Sequence, residues 1–187
     1  FVPLLAAHQI GNAQSLGLLI IAFFSFSLCA SSVYITNDLL DLESDRSHPR
    51  KRFRPFASAN LSVLHGVIAA PLLIAVSFLL GTVVGVDFLF VLIIYLFLTV
   101  TYSFSLKRLV LVDCLTLATL YTMRIIAGAA AVSVSLSFWL LAFSIFIFLS
   151  LALVKRYAEL LVQSQEGKNG AHGRGYLVTD APLLQAL

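Results

Sequence analysis

The chain has 187 residues, of which 60% are hydrophobic and 11% charged, with a formal net charge of +3 and a mean hydropathy of +0.99. A soluble domain has about half its residues apolar and roughly a quarter charged, so this composition cannot clothe a water-facing surface and points to an integral membrane protein. It excludes a nucleic-acid binder, a secreted disulfide scaffold and a disordered tail.

Five stretches reach the roughly 20 apolar residues that a helix needs to cross a bilayer. In chain order they are about 16–36, 62–81, 87–104, 110–131 and 136–154. Helices are expected rather than strands, because backbone in lipid must satisfy its own hydrogen bonds. Cys29 and Cys114 lie inside two of these spans and read as buried free thiols. The chain opens on Phe1, its single methionine is Met123, and no signal-peptide pattern is present. Ala181-Pro182-Leu183-Leu184 reads as the opening of a further apolar element, so a piece of a longer protein is expected.

Charge sorts by side. Of the twelve Lys and Arg residues all but Arg124 fall in three places. Arg46, Arg50, Lys51, Arg52 and Arg54 follow the first span, Lys107 and Arg108 follow the third, and Lys155, Arg156, Lys168 and Arg174 follow the fifth. The alternate connections carry none. Positive charge marks the cytoplasmic side, so these segments are expected together there, as a field suited to anionic headgroups or phosphorylated substrates.

The run Asn37-Asp38-Leu39-Leu40-Asp41-Leu42-Glu43-Ser44-Asp45-Arg46 closes the first span. In a continuing helix Asp38, Asp41 and Asp45 stand at i, i+3 and i+7 and share one face, while Glu43 points elsewhere. Like charges at this spacing repel, and desolvation at a membrane boundary penalises each of them. A bound cation cancels both costs, and oxygen-only ligands suit a hard ion such as Mg²⁺. The plain alternative is a solvated acidic helix end. Against it stands the adjacent basic loop, since carboxylates, Mg²⁺ and cations together can clamp a diphosphate.

Asn37-Asp38-x-x-Asp41-x-x-x-Asp45 followed by Arg54-Pro55 resembles the first aspartate-rich motif of the UbiA superfamily of intramembrane prenyltransferases. Tyr102-Ser103-Phe104-Ser105-Leu106-Lys107-Arg108 is similar to that family's Tyr…Lys-Arg segment. The resemblance implies an all-α transmembrane bundle of nine helices. The whole chain, 1–187, would then be a partial UbiA-like domain lacking the first helix and the last three. Within the superfamily the closer resemblance is to the decaprenyl-phosphate phosphoribosyltransferases. It is carried by His48-Pro49-Arg50-Lys51-Arg52-Phe53-Arg54-Pro55, by Val112-Asp113 with Arg124 and Ala127-Gly128-Ala129, and by Lys155-Arg156-Tyr157-Ala158-Glu159-Leu160. Ordinary members carry a second DxxxD motif where this chain has Lys155, Arg156 and Glu159, with Asp180 much later. That puts a second metal site in doubt and favours an additional phosphate.

The resemblance implies a Mg²⁺-dependent transferase of a bacterial inner membrane, with its active face cytoplasmic and a role in cell-wall synthesis. Asp38, Asp41 and Asp45 would hold the metal against a diphosphate leaving group. Asn37, Arg46, Lys51, Arg54, Tyr102 and Lys107 would surround that diphosphate, and Lys155, Arg156, Glu159 and Arg124 would position a second anionic substrate. The substrates implied are a polyprenyl phosphate and phosphoribosyl diphosphate. One alternative is prenyl transfer from an isoprenoid diphosphate to an aromatic or other small acceptor. A CDP-alcohol phosphotransferase is disfavoured because its DG-x-x-AR element is absent after Asp41. A transporter with an acidic ion site expects carboxylates near mid-membrane, whereas these stand at a helix end.

Other polar positions carry plainer readings. Arg124 lies inside a span, where a charge costs about 2.5–3.5 kcal/mol, and forms a polar stripe with Asp113 and Thr116. It walls a substrate cavity or pairs with a neighbouring helix. Lys155 and Glu159 stand at i, i+4 and can pair with each other, leaving Arg156 free. Tyr102 is an interfacial anchor as readily as a site residue. His8, His65 and His172 have no ligand-spaced partner, and Gly167–Gly175 reads as a polar, mobile loop.

Overall fold

The structure, a computed structural model, describes residues 2–6, 12–47, 51–165 and 175–186. His8, His172, the His48-Pro49-Arg50 portion of the basic motif, Lys168, Arg174 and most of the Gly-rich stretch lie outside the described residues. The chain is an all-α bundle of α1 (Val2–Ala6), α2 (Ala13–Leu40), α3 (Leu42–Ser47), α4 (Val63–Val84), α5 (Val86–Phe104), α6 (Val112–Ala131), α7 (Phe138–Gln165) and α8 (Ala181–Ala186). The five long ones, α2, α4, α5, α6 and α7, are each long and apolar enough to cross a membrane. They match the five expected spans, with one difference. The fifth helix runs on to Gln165, past the apolar stretch that ends near Val154. Its 28 residues make a rod about 42 Å long, longer than the hydrocarbon layer, so Lys155, Arg156 and Glu159 ride on helix and not on loop.

Helix limits follow local chemistry. The Asn12 side chain accepts the Gln14 and Ser15 N–H groups at 3.0 and 3.2 Å and starts α2. Ser62 accepts the Leu64 N–H at 3.3 Å and starts α4. A single residue, Gly85, turns the chain from α4 to α5 with φ 140° and ψ 169°, a conformation essentially reserved for glycine.

α2 packs most extensively on α4. The contact is lined by small residues: Ser25, Cys29 and Ser32 of α2 and Gly66, Ala70 and Ser77 of α4, all buried, while Gly81 turns to Leu89 and Leu92 of α5. Close approach lets the hydroxyls bond across helices. Ser25 donates to the Ser77 carbonyl and Ser77 to the Ser25 carbonyl, each at 2.7 Å, and Ser32 donates to the Ala70 carbonyl at 2.7 Å. Between transmembrane helices, where lipid is as apolar as leucine, small residues and polar bridges supply the association. Tyr95, Leu92, Phe88, Phe26 and Met123 fill the centre of the bundle. Phe90, Phe97, Leu79 and Trp139 are exposed to what would be lipid. Cys29 and Cys114 are both buried and free, as expected.

Candidate active site

The basic ends of the helices meet. Asp38 projects from the last turn of α2. Asp41 caps that helix with φ −90° and ψ 9°, its N–H donating to the Asn37 carbonyl at 2.9 Å, and α3 restarts at Leu42. The uninterrupted helix expected through Asp45 is therefore broken at Asp41, and the three carboxylates do not converge on one point. Asp38 and Asp45 share one cation: Arg54 Nη1 lies 2.7 Å from Asp38 Oδ1 and 2.7 Å from Asp45 Oδ2. Asp41, at the break, turns to Lys107, whose Nζ lies 3.7 Å from its Oδ2. Lys51 Nζ stands 3.8 Å from Asp45 Oδ1. Arg46 and Lys155 are exposed, while Asn37 and Tyr102 are half-buried at the same end.

Arg54 is placed by its neighbours. Pro55 follows it, and the Phe56 ring is buried against Gly66 of α4 and Leu39 of α2. A Cβ on Gly66 would stand 2.9 Å from the Phe56 ring and 3.0 Å from Leu39, tighter than side chains tolerate. Only glycine admits the ring that seats the loop over the carboxylates.

Asp45 is 1% exposed, so its charge depends on these partners. Its Oδ1 accepts no hydrogen bond. That oxygen, facing Lys51 Nζ at 3.8 Å without a hydrogen bond, is with the Asp38 carboxylate the kind of donor a hard cation takes. Among the described residues, no three His, Cys, Asp or Glu side chains are gathered as a ligand set, because the Arg54 guanidinium lies between Asp38 and Asp45.

A second cluster lies behind the first. Arg156 is 1% exposed. Its Nη2 lies 2.6 Å from Oδ2 of the fully buried Asp113, and its Nη1 bonds Glu159 Oε2. This corrects two expectations: Glu159 pairs with Arg156 and not with Lys155, and Arg156 is not free. A buried guanidinium takes the carboxylate that leaves no charge unpaired, and Asp113 comes from another helix. Asp113 belongs to this pair and not to a stripe ending at Arg124.

The Tyr176 hydroxyl enters the same cluster. It donates to Asp113 Oδ1 at 3.3 Å, accepts the Leu111 N–H at 2.9 Å and lies 3.5 Å from Cys114 Sγ. The ring faces the Arg156 guanidinium at 5.3 Å. Burial pushes the Tyr176 phenol well above its ordinary value. Sequence reasoning gave Tyr176 no part; nothing but an aromatic following Gly175 marks it.

Arg124 stands apart. It is exposed along α6 with its guanidinium 4.9 Å from the Tyr121 ring centre, and it lines a groove of about 280 Å³ with Phe23, Phe26, Ser27 and Phe88. Twelve residues of helix separate it from Val112, the first residue of α6, about 18 Å at the helical rise. It is not brought to the carboxylates.

The UbiA prenyltransferase family model matches residues 1–168. The chain belongs to that family. It is 39% identical over 186 residues to nodulation protein NoeC of Azorhizobium caulinodans, covering 98% of this chain and 60% of that protein. It is 34% identical over 168 residues to the decaprenyl-phosphate phosphoribosyltransferase of Corynebacterium glutamicum, covering 88% and 51%. The corresponding Mycobacterium tuberculosis protein is 37% identical over 153 residues, covering 78% and 48%. An uncharacterised protein of Sinorhizobium fredii is 40% identical over 185 residues, covering 98% of this chain and 36% of its own length. The chain thus spans roughly a third to three-fifths of the curated relatives it matches.

Proposed function

We propose that this chain forms the diphosphate-binding half of a membrane transferase that moves phosphoribose from phosphoribosyl diphosphate to a polyprenyl phosphate at the cytoplasmic face of a bacterial inner membrane. The observation that carries this reading is the set of ion pairs at one end of an apolar bundle, Asp38 and Asp45 on Arg54 with Lys51 beside Asp45, and Asp41 on Lys107. Relatives named as decaprenyl-phosphate phosphoribosyltransferases support the choice of substrates.

Asp38 and Asp45 would hold Mg²⁺, which when bound adds positive charge beside the leaving group. Arg54, released from those carboxylates, reaches the diphosphate with its planar donors. Lys51 and Lys107 neutralise the charge that grows as the anomeric carbon–oxygen bond breaks. The diphosphate leaves with the bonding electrons, and a phosphate oxygen of the lipid forms the new bond to that carbon. Exposed Arg46 and Lys155 meet the lipid phosphate. Arg156 is committed to Asp113 and Glu159 and holds the frame. The isoprenoid lies along the apolar helix faces.

The test uses the full-length protein in membranes, given polyprenyl phosphate with phosphoribosyl diphosphate in one mixture and polyprenyl diphosphate with an aromatic acid in another. Lipid-linked phosphoribose in the first is expected. Product only in the second would replace this reading by prenyl transfer. Ion flux in sealed vesicles without covalent product would point to a transporter.

A further inference from the structure

Lys107 reaches Asp41 from a short turn between α5 and α6, and that turn is held in an unfavourable shape. Val112 N–H bonds the Val110 carbonyl at 2.8 Å across Leu111, which has φ 64° and ψ −38°. This is a γ-turn with a positive central φ, rare and strained for a residue with a branched side chain. Strain of this kind persists only where surrounding contacts over-determine it. Here the contacts come from the segment after α7, packed in one cluster with Val110, Leu111 and Cys114. The Leu111 N–H, which the tight turn directs away from α6, ends on the Tyr176 hydroxyl at 2.9 Å. One residue earlier, Gly175 lies directly against the Arg108 carbonyl, so close that a Cβ there would overlap that oxygen. The segment after α7 thus grips the turn at two points, Arg108 and Leu111, immediately beyond Lys107. Its own anchor is the buried Asp113–Arg156 pair, to which the same hydroxyl donates at 3.3 Å.

We propose that Tyr176 is a positioning residue: through Leu111 and Arg108 it sets the turn from which Lys107 reaches the diphosphate. The proposal rests on the transferase reading for what Lys107 binds. Tyr176 need not touch a substrate; its hydroxyl bridges the turn and the buried ion pair. Removing the hydroxyl lets the turn relax toward ordinary φ, and Lys107 swings off its line. A residue acting only through Lys107 has a distinctive signature. Its effect vanishes when Lys107 is already gone.

The experiment is a double-mutant cycle on the full-length protein in detergent. Inorganic diphosphate with Mg²⁺ is the calorimetric probe, and KM and kcat for phosphoribosyl diphosphate are measured in parallel. Tyr176→Phe keeps the ring and should weaken diphosphate binding about fivefold, the scale of one hydrogen-bond loss. KM should rise alike, with kcat little changed. Lys107→Ala should weaken binding at least as much, and the double variant should be no worse than Lys107→Ala alone. Gly175→Ala, which keeps the phenol but pushes the segment off the Arg108 carbonyl, should behave as Tyr176→Phe does in both backgrounds. Additive losses, or unchanged affinity in both Tyr176→Phe and Gly175→Ala, would overturn the proposal. Misfolding of both variants would assign Tyr176 a structural role and overturn it equally. A wild-type protein that binds diphosphate but transfers nothing would sink the transferase reading while leaving the cycle readable.

Discussion

Replacing Arg54 with glutamine removes a group that touches both Asp38 and Asp45. Its Nη1 lies 2.7 Å from an oxygen of each. At an effective dielectric near 20, two such charges about 4 Å apart attract by about 4 kcal/mol before desolvation. Arg54 is 40% exposed at its side chain and Asp38 30%, so water screens most of that pair. Asp45, at 2%, has no such relief, and only Lys51 at 3.8 Å would remain to it. Breaking a buried pair costs about 3–5 kcal/mol; with one partner this exposed, about 2 kcal/mol is expected. In metal-free buffer that lowers the Tm of Arg54→Gln by about 4–8 °C. The same change should help a divalent cation. In the wild type a metal must evict the guanidinium; in the variant it meets Asp38 and an Asp45 held only by Lys51 at 3.8 Å, and Mg²⁺ should bind about tenfold more tightly, a gain near 1.4 kcal/mol. At about 100 times its Kd for the variant, Mg²⁺ would return about 2.7 kcal/mol to the variant and, at the same concentration, about 1.4 kcal/mol to the wild type, so the Tm loss should shrink to about a third in magnesium while diphosphate binding stays weak. Thermal unfolding and magnesium titration of the full-length protein, with EDTA as the reference, give both numbers. Unchanged or weaker Mg²⁺ binding in Arg54→Gln would refute the idea that Arg54 stands in the cation's place.

Asp113→Asn leaves a guanidinium that is 1% exposed with the part-exposed Glu159 as its remaining counter-charge and should cost about 3 kcal/mol, the low end for breaking a buried pair; Asp113→Asn with Arg156→Met should unfold later than Asp113→Asn alone, and a neutral single variant would argue against a buried pair. Gly66→Val should displace the Phe56 ring, costing about 1–3 kcal/mol by overpacking and raising the KM for phosphoribosyl diphosphate more than it lowers kcat. Because burial raises the Tyr176 phenol above its ordinary value of 10, the folded state holds that proton where the unfolded chain releases it. The contribution is intact below about pH 10 and is lost as pH rises beyond it, so the Tm of the wild type should fall more steeply between pH 9.5 and 11 (roughly one unit around that value) than the Tm of Tyr176→Phe. Equal slopes would place the phenol in water.

The five spans were legible because hydropathy reports directly on the solvent a helix meets. The end of α7 was not, because apolar residues stop near Val154 while the hydrogen-bonding that continues the helix to Gln165 is indifferent to polarity. The carboxylates and their basic loop were legible as neighbours in sequence. Which cation takes which acid depended on the break at Asp41 and on the seat that Gly66 offers Phe56, neither of which periodicity reveals. Arg156 shows the same limit: Glu159 lies within its own helix, but the choice over Lys155 was made by Asp113 on α6. The spacing Gly66, Ala70 and Ser77 did carry a readable signal for the α2–α4 contact, in small residues recurring on one helix face. Tyr176 carried none, since its partners lie more than sixty positions away.

The reciprocal Ser25–Ser77 bonds have a bearing on how the protein is made. Both serines, with Ser32 and Ala70, belong to the α2–α4 hairpin, whose bonds use no residue of the helices made after it. Synthesis at about 5–20 residues per second reaches the end of α6, Ala131, about 2–10 s after Val84. During that interval the Asp38–Arg54–Asp45 triad can already be assembled at the closed end of a membrane-inserted pair, while Arg156 and the frame it makes with Asp113 are still to come. Nascent chains arrested just past Val84 should therefore already shield Asp45, and Ser25→Ala with Ser77→Ala should delay that shielding before it alters the finished bundle.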